Sequence, residues 1–222
     1  MLDGMVKKWL MPLVSLILVS CCVNAAQFQI IDQHGKPVSN AVLVAASETV
    51  PSVDGRMLAS VTMDQVDKQF LPHVLVVRKG QAVNFPNSDD IRHHVYSFSK
   101  PNAFEIKLYS GSMNEPVRFD SSGIVVLGCN IHDGMKGYLF VSDVGNAAVS
   151  DKSGYVTLDT DQSSSYSAWH SRLQQGIGAP VMVTPKEVID ENSTDIAGLR
   201  QVQLILRPPN SNQKKQFRAR FK

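Results

Sequence analysis

Cysteine is scarce here: the 222 residues contain three, and two of them, Cys21 and Cys22, adjoin in an apolar N-terminal run. The rest of the chain has Cys129 alone, so no internal disulfide framework can hold it together. A structural zinc site, which favours several cysteines, is disfavoured on the same ground. Charge of one sign is lacking too. With 22 Lys and Arg against 20 Asp and Glu, the formal charge is +2, far from the pronounced basic face that phosphate neutralisation needs. Nucleic acid is therefore not the expected partner. Nor does any apolar period near 3.6 residues appear before about residue 170, which argues against a helical core.

What is present is enough for a real core. A hydrophobic content of 43% in a chain of this length suits one large domain or two small ones. The N-terminus stands apart. Lys7 and Lys8 precede "WLMPLVSLILVSCCV", which is followed by the small residues "NAA". That is the charged, apolar, small-residue order of a secretory signal, and the run is short for a membrane span and interrupted by Pro12. Residues 1–25 are read as a signal peptide, with Met5 an alternative start and cleavage expected after Ala25, placing the mature chain in the periplasm. "LVSC" ending at Cys21 offers the competing reading, a lipoprotein signal with a loose membrane association through Cys21. Export leaves Cys129 as a lone thiol in an oxidising compartment, where it must be buried or bound to something.

From Gln27 on, short apolar runs alternate with turns, the pattern of an antiparallel all-β protein folded as a sandwich. "FQIIDQHGKPVSNAVLVAA" reads as strand, turn at Gln33–Gly35, strand. "HVLVVRKGQAVNF" reads as a hairpin about Lys79–Gly80, and "PVRFDSSGIVVLGC" as a second hairpin. "NSDD" is a loop, "HHVYSFS" a strand and "KGYLFVSD" a closing strand. After Asp143 the character changes: "VSDKSGYVTLDT" repeats the Asp-x-x-Gly turn of "IIDQHGKPV". "SSSYSAWHSRL", a polar segment and "VQLILRP" follow. The basic tail, 208–222, is read as solvated.

The chemistry concentrates in "LGCNIHDGMKGYLFV", residues 127–141. Cys129, His132 and Met135 stand three apart in a loop between apolar runs. Alone, each has an ordinary use as a small core residue, a surface imidazole or a gap filler. Together they are a thiolate, an imidazole and a thioether, donors that select copper over calcium or magnesium. A copper site that passes electrons needs a thiolate, two imidazoles and a weak axial sulfur. The loop lacks one imidazole, and "FPNSDDIRHHVYSF" offers two, His93 and His94. Side chains alternate along a strand, so one of the pair faces the loop, and parity does not say which. Cys129 and His132 as a catalytic dyad is disfavoured, because nothing marks an oxyanion hole or a residue to orient the base. His34, His73 and His170 carry no ligand pattern.

These motifs, over roughly residues 57–143, resemble the cupredoxins, the small blue copper proteins. The Cys-x-x-His-x-x-Met loop is similar in length to amicyanin's, and Asn-x-Asp…His-x-Val resembles the strand of the family's first histidine. More closely, the chain resembles the exported plastocyanin-like proteins labelled methylamine utilization proteins, a label that establishes no substrate. The resemblance implies a Greek-key sandwich holding one type 1 copper ion through His93, Cys129, His132 and axial Met135. One departure is His94, where the family often has an Asn that braces the ligand loop; His94 either takes that job or is itself the ligand.

The flanking segments, 26–56 and 144–207, resemble the regulatory-like, transthyretin-like β-modules, which implies a copper domain (57–143) inserted into a second small β-sandwich. The function expected is single-electron transfer between redox partner proteins by a monomeric, non-enzymatic carrier. Copper delivery or storage, and an exported interaction module with a vestigial loop, are the competing readings.

Overall fold

The computed structural model describes residues 24–46, 58–112, 115–144, 146–160, 165–188 and 199–209, and these contain strands, turns and no helix. The expectations for the signal segment upstream of Asn24 and for nearly all of the basic tail lie outside them. The chain opens with β1 (Asn24–Asp32) and β2 (Val42–Ala46). Ten strands follow in the central segment: β3 (Val61–Thr62), β4 (Asp64–Val66), β5 (Gln69–Leu71), β6 (Val74–Arg78), β7 (Ala82–Asn84), β8 (His93–Ser97), β9 (Phe104–Tyr109), β10 (Val117–Arg118), β11 (Gly123–Gly128) and β12 (Lys136–Ser142). The last six are β13 (Ala147–Val149), β14 (Tyr155–Thr160), β15 (Ser165–Trp169), β16 (Val181–Val183), β17 (Lys186–Glu187) and β18 (Arg200–Leu204).

The two ends of the chain pair with each other. β1 lies between β14 and β18, and β2 between β13 and β15, giving sheets of order β14-β1-β18-β17 and β13-β2-β15-β16. The repeated Asp-x-x-Gly turns are built alike. Asp32 Oδ1 accepts the N–H groups of His34 and Lys36, and Asp151 Oδ1 accepts those of Ser153 and Tyr155. Each aspartate thus caps its own turn. Gly35 and Gly154 supply the positive φ at the turn's end. At Gly154 a Cβ would also lie 2.5 Å from the Ile30 carbonyl oxygen, so no other residue fits.

The central segment forms a five-stranded sheet, β6-β12-β11-β8-β9, facing a three-stranded one, β10-β7-β3, with β4 and β5 as a separate hairpin. Two sequence expectations need correction. "VLVV" and "AVNF" are not a hairpin: β6 and β7 belong to different sheets, and the Lys79–Gly80 turn carries the chain across the sandwich. β10 and β11 part in the same way. The sheets are also mixed, since β6–β12, β3–β7 and β1–β18 run parallel. Alternation within a strand fixes its two faces but not its neighbours, which hydrogen bonding to distant residues decides.

β12 explains how the parts cohere. It is buried on both faces, which is why "GYLFV" reads as a continuous apolar run and not as an alternating one. Leu139 and Val141 pack with Val77, Phe85, Val95, Val125 and Leu127 in the interior of the sandwich. Tyr138 and Phe140 point the other way, against the fully buried Trp169, with ring centroids 5.3 and 6.2 Å apart. Such aromatic pairs add about 0.5–1.5 kcal/mol each beyond their area burial. At Gly137 the sheet must stay bare, because a Cβ there would come within 2.7 Å of Phe70 Cβ on β5.

Candidate metal centre

β11 and β12 are paired antiparallel up to Gly128 and Lys136, so residues 129–135 form the loop of this hairpin. The Cys129 N–H donates to the Met135 carbonyl at 3.3 Å, and the Met135 N–H to the His132 carbonyl at 3.2 Å. Gly134 takes φ +88° to let the loop turn back. Cys129 and Met135 are buried in the sandwich core, while His132 is half-buried at the loop's outer side.

On β8, His93, Val95 and Ser97 face inward and are fully or almost fully buried, whereas His94 and Tyr96 face outward. The structure therefore separates the two histidines that parity left open. His94 Nε2 lies 2.9 Å from Glu105 Oε1 on the neighbouring strand, off the line of a good hydrogen bond, and its ring stacks obliquely on Tyr96. It neither joins the cluster nor braces the loop.

His93, Cys129 and His132 come together. Cys129 Sγ is 3.7 Å from His93 Nδ1 and 3.5 Å from His132 Nδ1, and the two nitrogens are 3.0 Å apart. A point equidistant from the three atoms lies about 2.0 Å from each, the length of a metal–imidazole bond and slightly under a metal–thiolate bond. Three soft-to-intermediate donors with a buried thioether in the same loop suit copper better than a hard cation, so the residues fit the group that the resemblance implies. Burial, with His93 alongside, holds the His132 imidazole below its ordinary value, which favours the neutral form that ligation requires.

No family model matches the chain, and no curated protein matches it. Parts of solved structures are similar to part of it. A copper-containing nitrite reductase from Thermus scotoductus SA-01 is 24% identical over 43% of this chain and 27% of its own, with a TM-score of 0.36. A purple cupredoxin from Nitrosopumilus maritimus is 18% identical over 38% of this chain and 100% of its own, at 0.33. The reduced Cu(I) form of an amicyanin point mutant is 17% identical over 45% and 98%, at 0.34. The chain thus spans about a quarter of the length of the nitrite reductase.

Two residues of the "NSDD" loop matter more than sequence reading allowed. Asn87 is buried; its amide donates to the carbonyls of Ile91 and Tyr109, and its Oδ1 accepts the Asp89 N–H, which fixes the loop leading into His93. Asp89 Oδ2 lies 2.6 Å from His93 Nε2. An ionised carboxylate only accepts, so Nε2 carries the hydrogen and Nδ1 presents its lone pair to Cys129 and His132. The same carboxylate accepts the N–H groups of Asp67 at 2.6 Å and Lys68 at 3.0 Å. Burial works to raise the Asp89 carboxyl, but the donors from Lys68, His93 and Asp67 outweigh it and hold it below the ordinary range.

Asp67 and Lys68 are the tip of the β4–β5 hairpin, both with positive φ (53° and 58°), the geometry of a type I′ turn. Neither is Gly or Asn, so the turn carries a cost of roughly 1–2 kcal/mol per residue, which the Asp89 clamp offsets. The signal that could have revealed Asp89 is a carboxylate four residues before a candidate ligand histidine. The hairpin left none, because "VDKQ" lacks the Asn-Gly signature.

Proposed function

We propose that the chain is an exported type 1 copper-binding protein that passes single electrons between redox protein partners and does no chemistry of its own. The observation that supports this reading is the triangle of His93 Nδ1, Cys129 Sγ and His132 Nδ1, with edges of 3.0–3.7 Å, one corner fully buried and one half-exposed. His93, Cys129 and His132 would hold the ion, and Met135 would supply a weak thioether donor. Copper bound there provides a one-electron couple.

The chain's own residues do the rest. Asp89 fixes the tautomer and orientation of His93. The hydrophobic core around Cys129 and Met135 excludes water. Half-buried His132, beside the exposed Ile131, gives the site its short way out to a partner. The copper-binding unit, 57–143, is in this reading an insertion into a β-module formed by 26–56 and 144–207, supported by β1 and β2 pairing with β13, β14, β15 and β18. The protein is taken as a periplasmic monomer cleaved after Ala25.

The test is the absorption spectrum of the copper-loaded protein. An intense red-absorbing band that vanishes in Cys129→Ser and in His93→Ala, but survives in His94→Ala, is the expected result. A colourless copper complex, or a band indifferent to Cys129, overturns the reading. A coloured protein with no reversible couple in voltammetry points instead to copper delivery or storage.

A further inference from the structure

Tyr109 stands directly across from His93 on the neighbouring strand, at an irregularity in the pairing. Val95 is opposite Ile106 and His93 opposite Tyr109, so β9 carries one residue more than β8 between the two pairs. A bulge of this kind re-aims a side chain. Here it turns the Tyr109 ring inward, against the core that contains Cys129 and Met135, and leaves Leu108 exposed.

The phenol reaches across the sandwich. Tyr109 Oη donates to the Phe85 carbonyl at 2.6 Å and accepts from Gln65 Nε2. Phe85 follows β7 of the facing sheet, Gln65 lies on β4, and both are fully buried. The main chain of the same strand end holds the loop that leads to His93. The Tyr109 carbonyl accepts the Asn87 side-chain amide at 3.0 Å, and the Gly111 carbonyl accepts the Asn87 N–H at 2.9 Å. Gln65 ties the loop from its other side: its N–H and its Nε2 both donate to the Pro86 carbonyl, at 3.2 and 3.0 Å, and its carbonyl accepts the Ser88 N–H at 3.0 Å. That orientation leaves Gln65 Oε1 buried with no hydrogen-bond partner among the described residues, a local cost of directing the amide to the loop and the phenol.

We propose that Tyr109 is a positioning residue of the metal centre, its phenol setting the depth at which His93 presents Nδ1 to Cys129 and His132. The inference rests on the copper reading above. Sliding β8 and β9 relative to the facing sheet would take the phenol from both partners and leave buried polar groups unpaired, which resists the movement. Cys129 and His132 belong to the β11–β12 hairpin, so the phenol governs the His93 corner of the triangle alone. Its hydrogen-bond acceptor is a carbonyl, which takes up no proton, so Tyr109 holds geometry and transfers no charge of its own.

The experiment compares two variants of the full chain. Tyr109→Phe keeps the ring and removes the hydroxyl. Asn102→Ala removes a hydrogen bond of the same unit away from His93, the one from Asn102 Nδ2 to the Ser121 carbonyl. Ring 15N chemical shifts of His93 are read first in the metal-free protein, where they report its tautomer and its bond to Asp89. Tyr109→Phe should move them and should speed solvent exchange of the Nε2–H about tenfold, the loss of one net hydrogen bond. Asn102→Ala should leave the shifts in place. Copper is then added: Tyr109→Phe should bind it about tenfold more weakly and keep the thiolate band, with the relative intensities of the visible bands changed. Unchanged His93 ring shifts in Tyr109→Phe, or the same response in Asn102→Ala, overturns the proposal. A colourless wild-type protein defeats the copper reading instead, and the metal-free shifts still decide the role of Tyr109. Should Tyr109→Phe fail to fold, Gln65→Met, which removes the amide donor at similar size, decides by the same shifts.

Discussion

Removing the Asp89 carboxylate tests whether the loop before His93 does more than connect two strands. Three donors converge on it: His93 Nε2 at 2.6 Å, the Asp67 N–H at 2.6 Å and the Lys68 N–H at 3.0 Å. Hydrogen bonds to a charged group are worth about 1.5–3 kcal/mol each, but the three do not count equally. Asp67 and Lys68 are exposed, so water replaces the lost acceptor there at little cost. His93 is fully buried, and its orphaned N–H carries a desolvation penalty of about 1–3 kcal/mol. The turn strain at Asp67 and Lys68 is then no longer offset. Asp89→Ala should therefore lower the unfolding free energy by about 3 kcal/mol, and Asp89→Asn, which keeps an acceptor, by about 1 kcal/mol. Urea unfolding of the metal-free protein measures both. Copper affinity should fall about 10- to 100-fold in Asp89→Ala, because His93 loses the partner that orients it. An Asp89→Ala protein within about 0.5 kcal/mol of wild type, with unchanged copper affinity, would refute the reasoning.

Acid should destabilise the protein through His170. Burial, with Arg172 and His73 nearby, holds its imidazole at about 4 against an ordinary 6.5. Above pH 6.5 both folded and unfolded forms are neutral; between 6.5 and 4 only the unfolded chain takes up the proton, so stability falls as pH drops through that window. The loss by about pH 5 is roughly 2 kcal/mol, and urea unfolding should show it shrinking by half or more in His170→Gln. His73 and His132, also lowered by burial, act in the same direction. Gly137→Ala should cost about 1–3 kcal/mol, because the new methyl meets Phe70 Cβ, an atom that cannot swing aside. An unshifted thermal midpoint would show that β5 yields instead. Met135→Gln should keep the copper and its colour while lowering the reduction potential, since an oxygen donor favours the cupric state; voltammetry showing an unchanged or higher potential would count against an axial role.

Much of the protein is legible from local order. The spacing of Cys129, His132 and Met135 puts three donors in one hairpin loop whatever surrounds it, because seven residues between paired strands have few ways to turn. The two Asp-x-x-Gly turns are as local, each aspartate capping N–H groups within four residues. Period-two apolar runs gave the strands. What they left open was everything set by residues far apart in sequence. His93 and His94 have the same side chain and adjacent places, and only the packing of β8 against β9 and β11 buries one and exposes the other. Asp89 joins His93 to a segment distant in sequence, since the same carboxylate accepts the N–H groups at the tip of the β4–β5 hairpin. β6 and β7, adjacent in the chain, went to opposite sheets because strand pairing is decided by distant hydrogen-bond partners. Alternation tells a strand that it has two faces; the core that forms around it decides which face is inside.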